Sequence, residues 1–238
     1  MMVLAVDAAT DRLSVALGQP RGRQAVRALS GARRHAGALP RLVNEVLDEM
    51  GAAGLSEVEA LAVSDGPGSF TGLRVATSWA KGVWQVRRLP FWTASTLLVR
   101  AARDAAVGTR VVGVGSALRG EVYAAGYWIL DDRIETLFAP TVASPGHGNL
   151  QDLTVDRLVG DLPEAEMVAW GVAGLVVSEE DGKPDARTLI DLIGVPGGAW
   201  SIEAPSTWEP EYGRPAEAQA KWERTHGRSL SDSTGRAG

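Results

Sequence analysis

The chain has 238 residues, of which 45% are hydrophobic and 22% charged, as is typical of a globular protein with one large domain or two small ones. It contains no cysteine, which excludes a disulfide framework and thiolate chemistry. The net charge of −5 is a poor match for a phosphate backbone, so any role with RNA is expected to be indirect. No apolar run reaches the roughly 20 residues of a membrane span, and the N-terminus lacks a basic leader. We therefore expect a cytoplasmic protein with no membrane contact.

The N-terminal part of the chain predicts three strands of an antiparallel sheet. The apolar segments 3–6, 13–17 and 24–29 are separated by short polar turns. Asp7 ends the first strand and Thr10 lies in the turn after it, where an aspartate commonly caps the turn itself. The opening hairpin also resembles the start of the actin-like ATPase fold. That resemblance implies an alternative, in which Asp7 and Thr10 approach a nucleotide phosphate or a metal.

Residues 39–50 predict an amphipathic helix. Apolar side chains recur at the spacing i, i+3, i+4, i+7, i+8 and i+11, with Pro40 in the first turn and Gly51 at the end. The helix therefore has one apolar face and one polar face. The apolar positions are Leu39, Leu42, Val43, Val46, Leu47 and Met50.

The glycine turn, residues 64–74, follows a predicted strand at 58–64 and leads into a helix predicted over 75–86. Its glycines allow an unusual backbone path, and Ser69 or Thr71 is expected to cap the helix. Free N–H groups and the positive end of the helix dipole would suit an anion or the acceptor groups of a partner. A tight turn without a ligand is the alternative. The glycines and proline of the turn are Gly66, Pro67, Gly68 and Gly72.

The spacing of the glycine turn excludes three common motifs. A phosphate-binding P-loop needs four residues between its glycines and then Gly-Lys, whereas three residues separate Gly68 from Gly72 and Leu73 follows. In a dinucleotide fingerprint the third glycine would come one residue earlier. No serine lies in the Gly-x-Ser-x-Gly pattern of a nucleophile elbow.

The helix after the turn carries a stripe of small residues. Gly72, Ala76 and Ala80 are spaced by four, so one face of the helix is nearly bare backbone. Such a face lets another helix approach closely. Two alternatives remain open, namely packing of this face on the chain's own sheet and packing in an intermolecular helix bundle. Trp79 lies on a neighbouring face.

The remaining elements predict two lobes, 1–107 and 108–205. A strand at 89–92 and a helix at 94–106 complete the first lobe. The C-terminal helix 216–224 is expected to rejoin that lobe, and the apolar-poor tail 225–238 is expected to be disordered. The second lobe is predicted from strands at 111–114, 121–128 and 133–138, a helix at 150–159, a strand at 167–171 and a helix at 186–193.

The nine residues 66–74, Gly-Pro-Gly-Ser-Phe-Thr-Gly-Leu-Arg, resemble the signature of the TsaB (YeaZ) family. These are the non-catalytic partner subunits of the bacterial machinery that makes N6-threonylcarbamoyladenosine at position 37 of tRNAs. Segments 35–40, 119–123 and 210–216 also resemble family elements, the last as a Pro-x-Tyr-x-Arg motif. The chain departs from the family at 116–118, where Ser-Ala-Leu replaces an Asp-Ala-Arg-like triplet.

The resemblance implies an actin-like ATPase (ASKHA, RNase H-like) α/β fold with two lobes, each a mixed five-stranded sheet flanked by helices. It implies binding to a TsaD-type catalytic subunit and a TsaE-type ATPase, a homodimer when the chain is alone, and only indirect contact with tRNA. No cofactor is required, although the family leaves room for ATP or ADP at the complex interface. The catalytic paralogue holds a metal through paired histidines, whereas the matching segment 93–99 has none, so we expect no metal site and no catalytic residue.

The resemblance places the partner interface on two helix faces and the glycine turn. The alternative function is an actin-like enzyme that binds or hydrolyses ATP around the glycine turn. A third idea, a glycopeptidase, is disfavoured by the absence of a metal-binding histidine pair. The predicted interface residues are Phe70, Gly72, Arg74, Ala76, Trp79, Ala80, Leu39 and Val43. The predicted phosphate contacts of the alternative are Asp7, Thr10, Gly66 and Gly68.

Overall fold

Two mixed β-sheets joined by buried helices form the core of the protein. The structure is a computed structural model and describes residues 1–31, 34–118, 121–143, 155–169 and 174–213. The predicted helix 216–224, the predicted tail 225–238 and the turn residues 119–120 lie outside these residues. No helix in the described part of the chain is both long enough and apolar enough to span a membrane.

The first sheet has six strands: β1 (Val3–Asp7), β2 (Arg12–Gly18), β3 (Gln24–Ser30), β4 (Ala60–Gly66), β5 (Phe91–Ser95) and β11 (Trp200–Ser201). Their order is β11-β5-β4-β1-β2-β3. The opening hairpin is antiparallel, as predicted, while β1, β4 and β5 run parallel to one another. The two-residue strand β11 is an addition to the five strands predicted, because the chain returns antiparallel beside β5.

Helices cover both faces of the first sheet. On one face lie α1 (His35–Met50) and α2 (Phe70–Arg87), and on the other α3 (Thr96–Ala102) and α5 (Ala186–Asp191). Alternate residues of β1 lie in the cores on the two faces of the sheet. Leu4 and Val6 belong to the core under α1 and α2, whereas Val3 and Ala5 belong to the core under α3 and α5. A strand buried on both faces has a continuous apolar sequence, as β1 does.

The second sheet has five strands: β6 (Arg110–Leu118), β7 (Glu121–Ile129), β8 (Ile134–Ala143), β9 (Arg157–Gly160) and β10 (Leu175–Val177). Their order is β10-β9-β6-β7-β8. The strands β6, β7 and β8 form an antiparallel meander, and β9 runs parallel to both β6 and β10. The short helix α4 (Glu164–Val168) lies in the chain between β9 and β10.

The buried helices α3 and α5 pack across the boundary between the two sheets. α3 follows the first-sheet strand β5 in sequence, yet it packs against β6, β7 and β9 of the second sheet. α5 follows the second-sheet strands and packs against β1, β2 and β4. Apolar residues of both helices, including Leu97 and Leu189, belong to one core cluster that contains residues from both sheets.

Two predicted elements of the second lobe are wrong over the residues that the structure describes, while their parts at 150–154 and 170–171 lie outside those residues. The helix predicted over 150–159 conflicts with strand β9, whose buried Leu158 and Val159 pair beside β6. The strand predicted over 167–171 overlaps α4 instead, because Pro163 sets the helix start and acidic residues follow in its first turn, where they complement the helix dipole. The helix predicted over 94–106 is shorter than expected and ends at Ala102.

Candidate functional site

The glycine turn connects the end of β4 to the start of α2. α2 begins at Phe70, earlier than predicted, because the Ser69 side chain caps it by accepting a hydrogen bond from the N–H of Gly72 at 3.2 Å. The N–H of Leu73 donates to the carbonyl oxygen of Ser69 at 2.8 Å. The N–H of Ser69 itself donates to the carbonyl oxygen of Ala9 at 2.7 Å. These three backbone donors therefore have acceptors within the chain.

The glycines of this turn allow close contact with neighbouring backbone. A Cβ atom at Gly68 would collide with the carbonyl oxygen of Ala9, and one at Gly72 would collide with that of Ala8. The space beside the turn is thus filled by the turn that follows β1. At Gly66 a Cβ atom would collide with the carbonyl oxygen of Glu211. The arrangement therefore does not support the prediction that Gly66 and Gly68 contact a phosphate.

Asp7 and Thr10 also serve the turn after β1. Asp7 is 1% exposed, and its carboxylate accepts hydrogen bonds from the Ser64 hydroxyl and, at 3.2 Å, from the Ala9 N–H. Burial raises the pKa of Asp7 to about 6, an effect that these hydrogen bonds only partly offset. Thr10 is 8% exposed, and its Oγ1 accepts a hydrogen bond from the N–H of Arg12 at 3.1 Å. The geometry matches the turn-capping alternative and does not support a phosphate contact.

A cavity of about 650 Å³ lies elsewhere, between the β2–β3 turn, the end of α3 and α5. Its lining includes Arg21, Arg103, Arg187 and Asp191, whereas the predicted phosphate-contact residues do not line it. Asp191 is held within the chain, since it accepts hydrogen bonds from the backbone N–H of Arg21 at 2.7 Å and from the Gln24 amide at 2.6 Å. These bonds link α5 to the β2–β3 hairpin.

Ion pairs with one buried member join segments that are far apart in the chain. Arg100 of α3, which is 2% exposed, donates to Asp161 at 2.8 Å and to the carbonyl oxygen of Val114. Burial opposes ionisation of Asp161, but the Arg100 guanidinium outweighs it and holds the pKa of that carboxyl below its usual value. Arg12 of β2 donates to the buried Asp185, the N-cap residue of α5, at 3.3 Å. Each of these charges has an opposite partner, as structural ion pairs do.

The small-residue stripe of α2 packs inside the chain. Ala76 and Ala80 belong to the core between α2 and the first sheet, and Gly72 lies against the turn after β1. Leu39 and Val43 are buried in the same core. The prediction that these five residues contact a partner is corrected, because their side chains present no surface. Of the two alternatives for the stripe, internal packing is confirmed.

The outer face of α2 is the part that remains open. Arg74 is exposed, and Phe70 and Trp79 are half-buried at its edges. Two features were missed by the sequence analysis: Val86 is 80% exposed, and a Cβ atom at Gly82 would meet no other atom within 4 Å. A glycine inside a helix lowers helix stability by about 1 kcal/mol relative to alanine. Gly82 packs against nothing inside the chain, so its presence in the predicted helix is the sequence signal that could have indicated this exposed face.

α1 extends this surface because it contacts α2 in the same layer. The first turns of α1 expose Ala36, Gly37 and Pro40, and a Cβ atom at Gly37 would also meet no atom within 4 Å. The exposed sides of the two helices therefore include small residues beside isolated apolar ones. We call this surface the α1/α2 outer face.

The described residues contain no group of three or more histidine, aspartate and glutamate side chains placed to hold a metal ion. His35 is buried, with its Nε2 at 3.1 Å from the carbonyl oxygen of Asp11. His147 and His226 lie outside the described residues.

Comparisons with known proteins agree with this architecture. The family model described as TsaD, tRNA N6-adenosine threonylcarbamoyltransferase, matches residues 29–158. The tRNA threonylcarbamoyladenosine biosynthesis protein TsaB of Escherichia coli K12 is 37% identical over 129 residues, 53% of this chain and 55% of that protein. TsaB of Haemophilus influenzae is 34% identical over 125 residues, 52% of each chain. The chain thus matches about half the length of these curated relatives.

Two solved structures from Pseudomonas aeruginosa are similar over most of their length. One, described as an uncharacterized protein with similarity to peptidase YEAZ, has a TM-score of 0.74 and 26% identity over 90% of this chain and 99% of that one. The other, described as YeaZ, has a TM-score of 0.69 and 29% identity over 81% of this chain and 90% of that one.

Two lobes built on mixed sheets, with an opening hairpin followed by parallel strands and with helices on both faces, define an actin-like protein of the ASKHA type. Asp7 is buried, and neighbouring backbone fills the space beside the glycine turn. The glycine turn therefore differs from an open phosphate-binding loop. With the glycine-turn signature and the relatives above, the chain belongs to the TsaB (YeaZ) family.

Proposed function

We propose that this chain is a non-catalytic partner subunit required for N6-threonylcarbamoyladenosine formation at position 37 of tRNAs. In this role it binds a TsaD-type catalytic subunit through the α1/α2 outer face, and a TsaE-type ATPase docks nearby. The protein acts in the cytoplasm. Its net charge of −5 favours contact with tRNA through the catalytic subunit. The names of the curated relatives support the pathway, and the fit of the TsaD family model supports a related partner.

One observation carries the interface: the open surface at Gly82 beside the exposed Val86 on α2. A backbone without side-chain cover lets a partner helix approach closely, and an exposed apolar side chain at its edge stabilises such a contact. The same face serves a homodimer when the catalytic subunit is absent, so the two assemblies exclude each other. Any ATP or ADP that the complex holds is bound at its interface.

The test is a large side chain at the open position. Gly82→Trp should weaken binding to the TsaD-type subunit of the same source by about tenfold or more, because the partner helix can no longer approach, while thermal stability does not fall. Val168→Trp, on the exposed side of α4, is the matched control and should bind normally. Binding is measured by calorimetry, and assembly size by light scattering after gel filtration.

Two outcomes would contradict the proposal. Normal binding by Gly82→Trp would move the interface away from α2. Failure of the unaltered chain to bind, or reconstituted tRNA modification that proceeds equally well without it, would refute the subunit role. ATP binding by the isolated chain that depends on Asp7 would then favour the enzyme alternative.

A further inference from the structure

The C-terminal strap, residues 208–213, lies over the first turns of α2. The ring of Tyr212 packs against that of Phe70, with centroids 4.6 Å apart and planes tilted by 49°. The guanidinium carbon of Arg74 lies 4.5 Å from the Phe70 centroid and 5.7 Å from the Tyr212 centroid. A residue near the end of the described chain and two residues of α2 thus form one cation–π cluster at the surface.

Hydrogen bonds fix the strap on both sides of this cluster. The Tyr212 hydroxyl donates to Glu209 at 3.0 Å, and Glu209 also accepts from Lys81 of α2 at 2.8 Å. Near its end, the N–H of Glu211 donates to the carbonyl oxygen of Asp65 at 2.7 Å. At its start, the ring of Trp208 packs 5.7 Å from the buried ring of Phe91. The strap is therefore held against both the glycine turn and α2.

Arg74 is exposed and takes part in none of the ion pairs formed among the described residues. Its guanidinium also hydrogen-bonds the Tyr212 side chain and interacts with the charge of Glu209. A guanidinium has five N–H donors in one plane, so further donors remain whose geometry matches a carboxylate. The charge of Glu209 is balanced by Lys81 at 2.8 Å, which leaves the charge of Arg74 available for one further anionic group. Glu211 is exposed beside Tyr212, and its negative charge disfavours a polyanion such as an RNA backbone more strongly than a single carboxylate. The surroundings of Arg74 thus fit a single carboxylate of a protein partner.

We propose that the strap completes the docking surface of α2: Tyr212 and Glu209 are positioning residues that orient the Arg74 guanidinium toward a carboxylate of the TsaD-type subunit. This inference rests on the proposed function and adds to it a second chain segment and the chemistry of the partner group. The strap is continuous with the α1/α2 outer face, because Thr71 and Ser78 are exposed on α2 to either side of Arg74.

The test compares two cation–π pairs. Arg74→Ala and Tyr212→Ala should each weaken binding to the TsaD-type subunit by about tenfold, since a stacked arginine is a frequent hot spot. Tyr212→Phe, which keeps the ring contact, should retain most of the affinity. Arg110→Ala removes the matched pair in the second lobe, where Arg110 lies 5.0 Å over Trp128, and should bind normally. Calorimetry over a series of salt concentrations should also give Arg74→Ala a smaller loss of affinity with added salt.

Each outcome decides the inference. If the unaltered chain binds but Arg74→Ala and Tyr212→Ala bind as tightly, the strap is not part of the surface and the proposed function survives. An Arg74→Ala variant with an unchanged salt dependence would refute the carboxylate contact. If the unaltered chain does not bind at all, the proposed function fails and this inference fails with it. Circular dichroism and thermal melting of each variant confirm that the fold is intact.

Discussion

The buried carboxyl group of Asp7 makes the stability of the fold depend on pH. Burial raises its pKa from the usual 3.8 to about 6, and the side chain is 1% exposed. The folded protein therefore binds this proton more tightly than the unfolded chain does. Its contribution to stability is fully present below the unfolded pKa of 3.8 and is lost as the pH rises through about 6.

The magnitude follows from the two pKa values. At about 1.4 kcal/mol per pH unit, the interval between them corresponds to about 3 kcal/mol in the free energy of unfolding. About 2 kcal/mol of this falls between pH of roughly 7.5 and 4.5, because the unfolded carboxyl is still mostly ionised at the lower value. Burial also raises the pKa of Asp65 to about 6, although a hydrogen bond from the Glu211 backbone opposes the shift, so Asp65 acts in the same direction.

The substitution Asp7→Asn removes this titration while keeping an oxygen that can accept the N–H of Ala9. We expect the variant to be more stable relative to the unaltered protein at neutral pH than at acidic pH, by about 2 kcal/mol across that interval. Urea unfolding followed by tryptophan fluorescence measures the difference, and the exposed Asp48→Asn on α1 is the control. Parallel pH profiles for Asp7→Asn and the unaltered protein would refute the reasoning.

Two further predictions concern packing. On α2, Gly72→Ala should lower the free energy of unfolding by about 2 kcal/mol, because the new Cβ collides with backbone, whereas Gly82→Ala should raise it by about 1 kcal/mol in open space. Equal effects in urea titrations would contradict this pair. Arg100→Met should cost about 3 kcal/mol by leaving Asp161 without its cation, and adding Asp161→Asn should restore part of that loss. Strictly additive losses in the double-mutant cycle would show that the ion pair is not coupled.

Helices and strands whose apolar residues repeat at a regular spacing are those that can be predicted from sequence. The apolar residues of α1 repeat at helical spacing, and Gly51 ends the helix with a left-handed backbone. The residue at which α1 ends is therefore determined by the local sequence. Strands β9 and β10 have four and three residues, and their structure depends on pairing with β6 and with each other. Too few residues lie in such strands for a period to appear, which explains why the segment of β9 was predicted as a helix and why β10 was not predicted.

The candidate site was predictable only in part. Phe70, Arg74 and Trp79 could be selected because they flank the glycine turn or the small-residue stripe, but a stripe of small residues has the same sequence pattern whether it packs inside the chain or against a partner. The contact between Tyr212 and Phe70 joins residues far apart in sequence. No local pattern encodes such a contact, so only the folded chain could place the Pro-x-Tyr element on α2.

Because α3 and α5 each pack against the sheet formed by the other half of the chain, the protein cannot be divided into two fragments that fold independently. A cut near residue 107 would leave α3 attached to the first sheet while its apolar residues lack the second sheet, and α5 would lose β1, β2 and β4 in the same way. Neither fragment could bury its core alone. The two halves should therefore be insoluble when expressed separately, yet regain a native fold when they are produced together and complement one another.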